Sequence, residues 1–304
     1  MLKRRLISAG IIIPSIIGIL WLDHWLGTDG QVGRPGLILI PIMILTACLA
    51  ALELVEMFFN VASQVNRKAI VVGTALMVLV MATPVLWRDY PPDCILGRFG
   101  FVFSGFVVAM VVTFSFEMLG YRVESNQPKG EVIDRLARSV LIFGYLAMFF
   151  GFLIPHRYLA NNSIGILAIV LVFTTVKLSD AAAYFAGKRF GTIKLAPQLS
   201  PGKTVQGAIG ALIGGVVGAL IVGFPVARLL FGIPFPQPTW WLVAFGVIVT
   251  LAGMMGDLAE SLMKRDLATK DSSSWLPGLG GVLDIMDSLI FALPVSYIFW
   301  LIGK

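Results

Sequence analysis

Apolar residues come in nine long stretches along this chain. They run approximately over residues 6–22, 36–57, 69–87, 100–119, 139–156, 163–185, 207–231, 240–263 and 283–302, with shorter polar segments between them. A bilayer-spanning helix needs about 20 predominantly apolar residues. The pattern therefore predicts an all-α, polytopic integral membrane protein with about nine transmembrane helices.

Composition agrees with that reading. Of 304 residues, 58% are hydrophobic and 13% charged, whereas soluble domains run at about 45–50% and about 25%. Disorder, a disulfide-stapled secreted domain and an ordinary soluble enzyme are excluded. Cys48 and Cys94 provide no disulfide framework. The net charge of +6 is explained by Lys/Arg-rich cytoplasmic loops, so no nucleic acid partner is expected. The first stretch follows Lys3, Arg4 and Arg5. It runs into Trp21, Leu22, Asp23 and His24 without a small-residue cleavage site, and so is expected to stay as an anchor.

The distribution of basic residues predicts orientation. With the N-terminus cytoplasmic, the inside segments gather Lys3, Arg4, Arg5, Arg67, Lys68, Arg122, Lys129, Arg135, Arg138, Lys188, Arg189, Lys194, Lys203, Lys264, Arg265 and Lys270. The outside segments hold fewer, among them Arg34, Arg88, Arg157 and Arg228. The chain also divides in character. Residues 1–160 carry the first five, almost purely apolar spans. Residues 161–304 carry spans six to nine, two cytoplasmic loops and the polar residues that suggest catalysis.

Intramembrane charge is costly, so its presence suggests function. Lys177, Asp180, Tyr184 and Lys188 lie at i, i+3, i+7 and i+11, on one face of the sixth span. An ion pair that makes Lys177 and Asp180 tolerable in lipid is the plainer alternative. Next comes S-P-G-K-T-V-Q-G over residues 200–207. It is not a P-loop, because the glycine required five residues before Gly202 is Pro197. It still suits phosphate. Pro201 and Gly202 are expected to form a tight turn, Lys203 supplies a point charge, and Ser200 and Thr204 supply hydroxyls. A helix N-terminus that favours anions follows.

In the eighth span Asp257, Glu260, Ser261 and Lys264 again share one face. Asp257 lies about eight residues inside Arg265, roughly 12 Å at about 1.5 Å per residue. The ninth span opens with Asp284 and Asp287, one turn apart. Charge compensation at a helix N-terminus accounts for one of them, but not for Asp257. Carboxylates from two helices and lysines from two loops suit a magnesium–polyphosphate site, since hard oxygen ligands favour Mg²⁺ and lysines neutralise phosphate oxygens.

At these residues the chain resembles the phosphatidate cytidylyltransferase (CDP-diacylglycerol synthase) family. One block is S-L-M-K-R-D-L-A-T-K-D over residues 261–271, followed by P-G-L-G-G-V-L-D-I-M-D over 277–287. The other runs from Asp180 through Ala183, Tyr184, Gly187, Gly191 and Lys194 to the 200–207 segment. Two positions depart from the family pattern: Leu279 stands where the family has His, and Ile285 where it has Arg.

The resemblance implies that CTP and phosphatidate react to give CDP-diacylglycerol and pyrophosphate, in phospholipid biosynthesis. It implies Mg²⁺ as cofactor and leaves room for a second, monovalent cation. Asp257, Asp284 and Asp287 would be the metal ligands and, with Lys203 and Lys264, the catalytic set. Ser200, Thr204, Ser261, Lys270 and Asp271 would contact substrate, Arg265 would hold the phosphatidate head group, and Asp180 and Tyr184 would flank the site. The partners implied are CTP, phosphatidate, membrane lipid and a second copy in a homodimer. The location implied is a bacterial cytoplasmic membrane. Three alternatives remain open. One is a different CTP-using lipid enzyme, such as another lipid-phosphate cytidylyltransferase or a polyprenol kinase. The others are a transporter and an inactive lipid- or nucleotide-binding paralogue.

Overall fold

The structure is a computed structural model and describes residues 15, 18–27, 35–58, 65–87, 90–91, 94–121, 129–159, 161–269, 273 and 280–303. Residues 18–27 are helical. Then follow α1 (Leu39–Met57), α2 (Arg67–Met81), α3 (Thr83–Leu86), α4 (Gly97–Gly120), α5 (Glu131–Arg157) and α6 (Asn162–Phe190). A short antiparallel hairpin of β1 (Lys194–Ala196) and β2 (Ser200–Thr204) comes next. The chain ends with α7 (Val205–Ile221), a π-helical turn at Val222–Val226, α8 (Ala227–Phe231), α9 (Thr239–Asp266) and α10 (Val282–Ile302).

The all-α membrane architecture is as expected. Among the described residues, seven helical runs are long and apolar enough to cross a membrane: α1, α4, α5, α6, α7 through α8, α9 and α10. The expected count of nine is not reached, for two identifiable reasons. Most of the first stretch lies outside the described residues. The third is divided at Ala82, after the 15 residues of α2. At about 1.5 Å per residue α2 reaches roughly 22 Å, short of a hydrocarbon core of about 30 Å. Pro84 lies in the first turn of α3, where its missing N–H costs nothing.

Two compact units divide the chain, with boundaries inside α5 and α10. One comprises residues 1–154 and 267–285, the other 155–266 and 286–304. In the first, α2 packs against both α1 and α4, and the core holds Leu54, Ile70, Met77, Met81, Phe143 and Phe150. Asn66 caps α2 by accepting from the Lys68 and Ala69 amides. The second unit is centred on α7. Gly207, Gly210, Gly214 and Gly218 recur on one face, where an added Cβ would crowd Ala183, Ala186, Ala182 and Thr174 of α6. Gly215 lies just as tightly against Thr250 of α9. Small residues at this spacing let helix backbones approach closely, the main source of helix association in lipid. Ile209, Ile213, Val217 and Ile221 of α7 are exposed and suit an apolar solvent.

Candidate functional site

The site is built on three helices and the hairpin of the second unit. Thr204 is the N-cap of α7 and accepts a hydrogen bond from the Gly207 amide at 3.1 Å. Gly187 and Gly191, at the end of α6, leave no room for a Cβ beside the Thr204 hydroxyl. Gln206 folds back onto the chain before β1. Its Oε1 accepts from the Thr192 and Ile193 amides, and its Nε2 donates to Thr192 Oγ1 at 2.7 Å. At the far end of the hairpin, Arg265 of α9 donates through Nε to the Leu199 carbonyl at 3.1 Å. The segment expected to be a loop is therefore a hairpin anchored at both ends. Pro201 and Gly202 lie within β2 rather than in a tight turn, and the turn is formed by residues 197–199.

This anchoring brings Lys203 to α9. Its Nζ lies 2.6 Å from Asp257 Oδ2. The contact is an ion pair by distance, but the buried Nζ makes no contact with hydrogen-bond geometry. Asp257 follows Gly256, where an added Cβ would lie 2.5 Å from the Asp287 carbonyl oxygen. That glycine lets α9 approach α10 at the level of the two acids. Asp287 accepts from the amide and hydroxyl of Ser288. Asp180, Asp257 and Asp287 lie within electrostatic reach of one another, with Lys177 also acting on Asp180 and Asp287. Lys177 Nζ and Asp180 Oδ2 are 3.6 Å apart, the pair that their spacing suggested.

The remaining expected residues are placed as follows. Lys264 pairs with Glu260 on its own helix at 2.9 Å, and Glu260 is buried. Ser261 and Ser200 are half-buried. Tyr184 is exposed, with the Lys188 ammonium 5.7 Å from its ring centroid and Phe185 packed edge-on. Asp284, in the first turn of α10, accepts from the Gly281 amide at 2.6 Å and so caps its own helix. Lys270, Asp271 and Leu279 lie outside the described residues.

Asp257 and Asp287 offer hard carboxylate oxygens. Mg²⁺ typically keeps several waters and takes one or two protein carboxylates plus substrate phosphates. Among the described residues no three His, Cys, Asp or Glu side chains converge as a ready-made cage. The fit is thus to a site that nucleotide oxygens complete. Sequence reasoning missed the buried Glu53 of α1 and the capping role of Thr204. It also missed Gly256, although a glycine beside an intramembrane aspartate is a visible sign of close helix approach.

Seven described helical runs long and apolar enough to cross a membrane, with lysines and carboxylates paired on and between them, define an integral membrane protein. The chain belongs to the cytidylyltransferase family, whose model matches residues 3–302, and it is a nucleotidyltransferase. A phosphatidate cytidylyltransferase of Staphylococcus saprophyticus is 31% identical over 262 residues, 86% of this chain and 89% of that one. One from Staphylococcus aureus strain COL is 38% identical over 185 residues, 61% and 66% of the two chains. One from Brucella suis is 41% identical over 139 residues, 46% and 48%.

Proposed function

We propose that this protein is a phosphatidate cytidylyltransferase, which joins CTP and phosphatidate into CDP-diacylglycerol and releases pyrophosphate. The observation that carries the reading is the 2.6 Å pair of Lys203 and Asp257, with Asp287 within electrostatic reach. A phosphate oxygen of phosphatidate attacks the α-phosphorus of CTP, and the bond to the β-phosphate oxygen breaks. The attacking oxygen is already ionised near neutral pH, so no general base is needed. The barrier is mainly the crowding of negative charge, which preorganised cations reduce.

Lys203 donates to triphosphate oxygens, and Lys264 and Lys270 add positive charge. Arg265 holds the phosphatidate head group while its acyl chains stay in lipid, and Ser200 and Ser261 orient oxygens. Asp257 and Asp287 would hold Mg²⁺, which when bound neutralises the triphosphate and polarises its phosphorus–oxygen bonds. The reading includes a homodimer in a bacterial cytoplasmic membrane, with the N-terminus and the site on the cytoplasmic side.

The test is incubation of the purified protein with CTP, phosphatidate and Mg²⁺. CDP-diacylglycerol and pyrophosphate are expected in equal amounts. CDP as the only nucleotide product would overturn the reading in favour of a CTP-dependent kinase.

A further inference from the structure

Glu53 lies in α1, a span that the proposed chemistry does not use, and it is fully buried at 0% exposure. Among the described residues its carboxylate accepts three hydrogen bonds, all at 2.8 Å. Ser273 Oγ and the Val282 amide donate to Oε1, and the Leu283 amide donates to Oε2. The two amides belong to the first turn of α10. Four N–H groups at the start of any helix lack partners within it, and Glu53 takes two of α10's. The preceding Gly281 amide is taken by Asp284. Gly280 adopts φ +87°, and an added Cβ there would overlap the Asp284 carboxylate. The start of α10 is therefore fixed by two carboxylates, one local and one 229 residues away.

The arrangement calls for a group that accepts through both of its terminal atoms. A carboxylate only accepts, through both oxygens, whereas a glutamine amide turns two N–H donors toward a backbone donor. Asp287 lies on the same helix, one turn beyond Leu283. A shift or rotation of that first turn carries its side chain with it, and a misplacement of about 1 Å at a reacting centre costs about 100-fold in rate.

We propose that Glu53 is a positioning residue of the reaction. It clamps the first turn of α10, and Ser273 before it, so that Asp287 is held in its working position. The inference rests on the reading of Asp287 as part of the reaction site. The test compares the full-length protein with Glu53→Gln and Glu53→Asp, the second retaining charge but too short to span the same three donors. Three properties are measured: hydrogen exchange at the Val282 and Leu283 amides, thermal unfolding in detergent, and kcat and KM for CTP.

Both variants are expected to stay folded and to lose protection at those two amides. Their kcat is expected to fall about 10- to 100-fold, with KM for CTP within about threefold, as for a group acting on the transition state rather than on binding. Full activity, unchanged protection at residues 282 and 283, or unfolding of both variants would each overturn the positioning role. Failure of the unmodified protein to form CDP-diacylglycerol would instead overturn the reaction reading, and with it the part given to Asp287.

Discussion

Glu53 of α1 and Asp257 of α9 are both carboxylates carried by apolar, membrane-spanning helices, and their surroundings separate them. Glu53 is buried, and among the described residues it accepts three hydrogen bonds from neutral donors. The Asp257 side chain is 34% exposed and meets an ammonium group, with two further carboxylates within electrostatic reach. A carboxylate that accepts from two amides and a hydroxyl has both oxygens engaged by the protein itself. A carboxylate opposed to a lysine and crowded by like charges is held by interactions that an incoming metal and polyphosphate can replace. Intramembrane charge suggests function, but the kind of function is read from the partners. Neutral donors suit the clamp proposed for Glu53, and opposed ions suit the reaction proposed at Asp257.

The comparison is most sharply tested at Asp257. Asp257→Asn is expected to lower CDP-diacylglycerol formation by about 1,000-fold, the upper range for loss of one preorganised electrostatic group, with the unfolding temperature in detergent little changed. Full activity in that variant would place Asp257 in the same structural class as Glu53. Lys203→Ala is expected to cost about 100-fold in kcat/KM for CTP, measured at saturating phosphatidate. An unchanged value would mean that the ion pair only makes Asp257 tolerable.

Gly256→Ala forces α9 away from the Asp287 carbonyl. Overpacking of this kind costs about 1–3 kcal/mol, so a lower unfolding temperature is expected along with reduced turnover. Thr204→Ala should have the smallest effect. Loss of the α7 cap costs about 1 kcal/mol, seen in thermal unfolding, while kcat/KM for CTP stays within about threefold. A large kinetic loss with unchanged stability would support the expected role of Thr204 as a substrate contact.

Much of this was legible in the sequence because it is local. The spacing of Asp257, Glu260 and Lys264 gives one helical face, and the 2.9 Å pair of Glu260 and Lys264 follows from it. The Lys177–Asp180 pair is legible in the same way. Features set by distant partners were not. Glu53 reads as a lone acid in an apolar run until residues 282 and 283 arrive beside it. The hairpin at Lys194–Thr204 depends on Gln206 and on Arg265, the latter 66 positions from its acceptor. The break between α2 and α3 was visible in Pro84, but apolar composition alone joined the two helices into one span.

The reach of Glu53 has a consequence for the birth of the protein. A ribosome adds about 5–20 residues per second. The Val282 amide therefore emerges roughly 10–50 s after Glu53, given the 229 residues between them and that rate. Through that interval the nascent chain holds an acid in an apolar helix without the amides that will satisfy it. Asp180 and Asp257 also await Asp287. Synthesis of the last helix thus supplies both the amides that Glu53 accepts from and the Asp287 carboxylate, so a chain that stalls before residue 282 has neither.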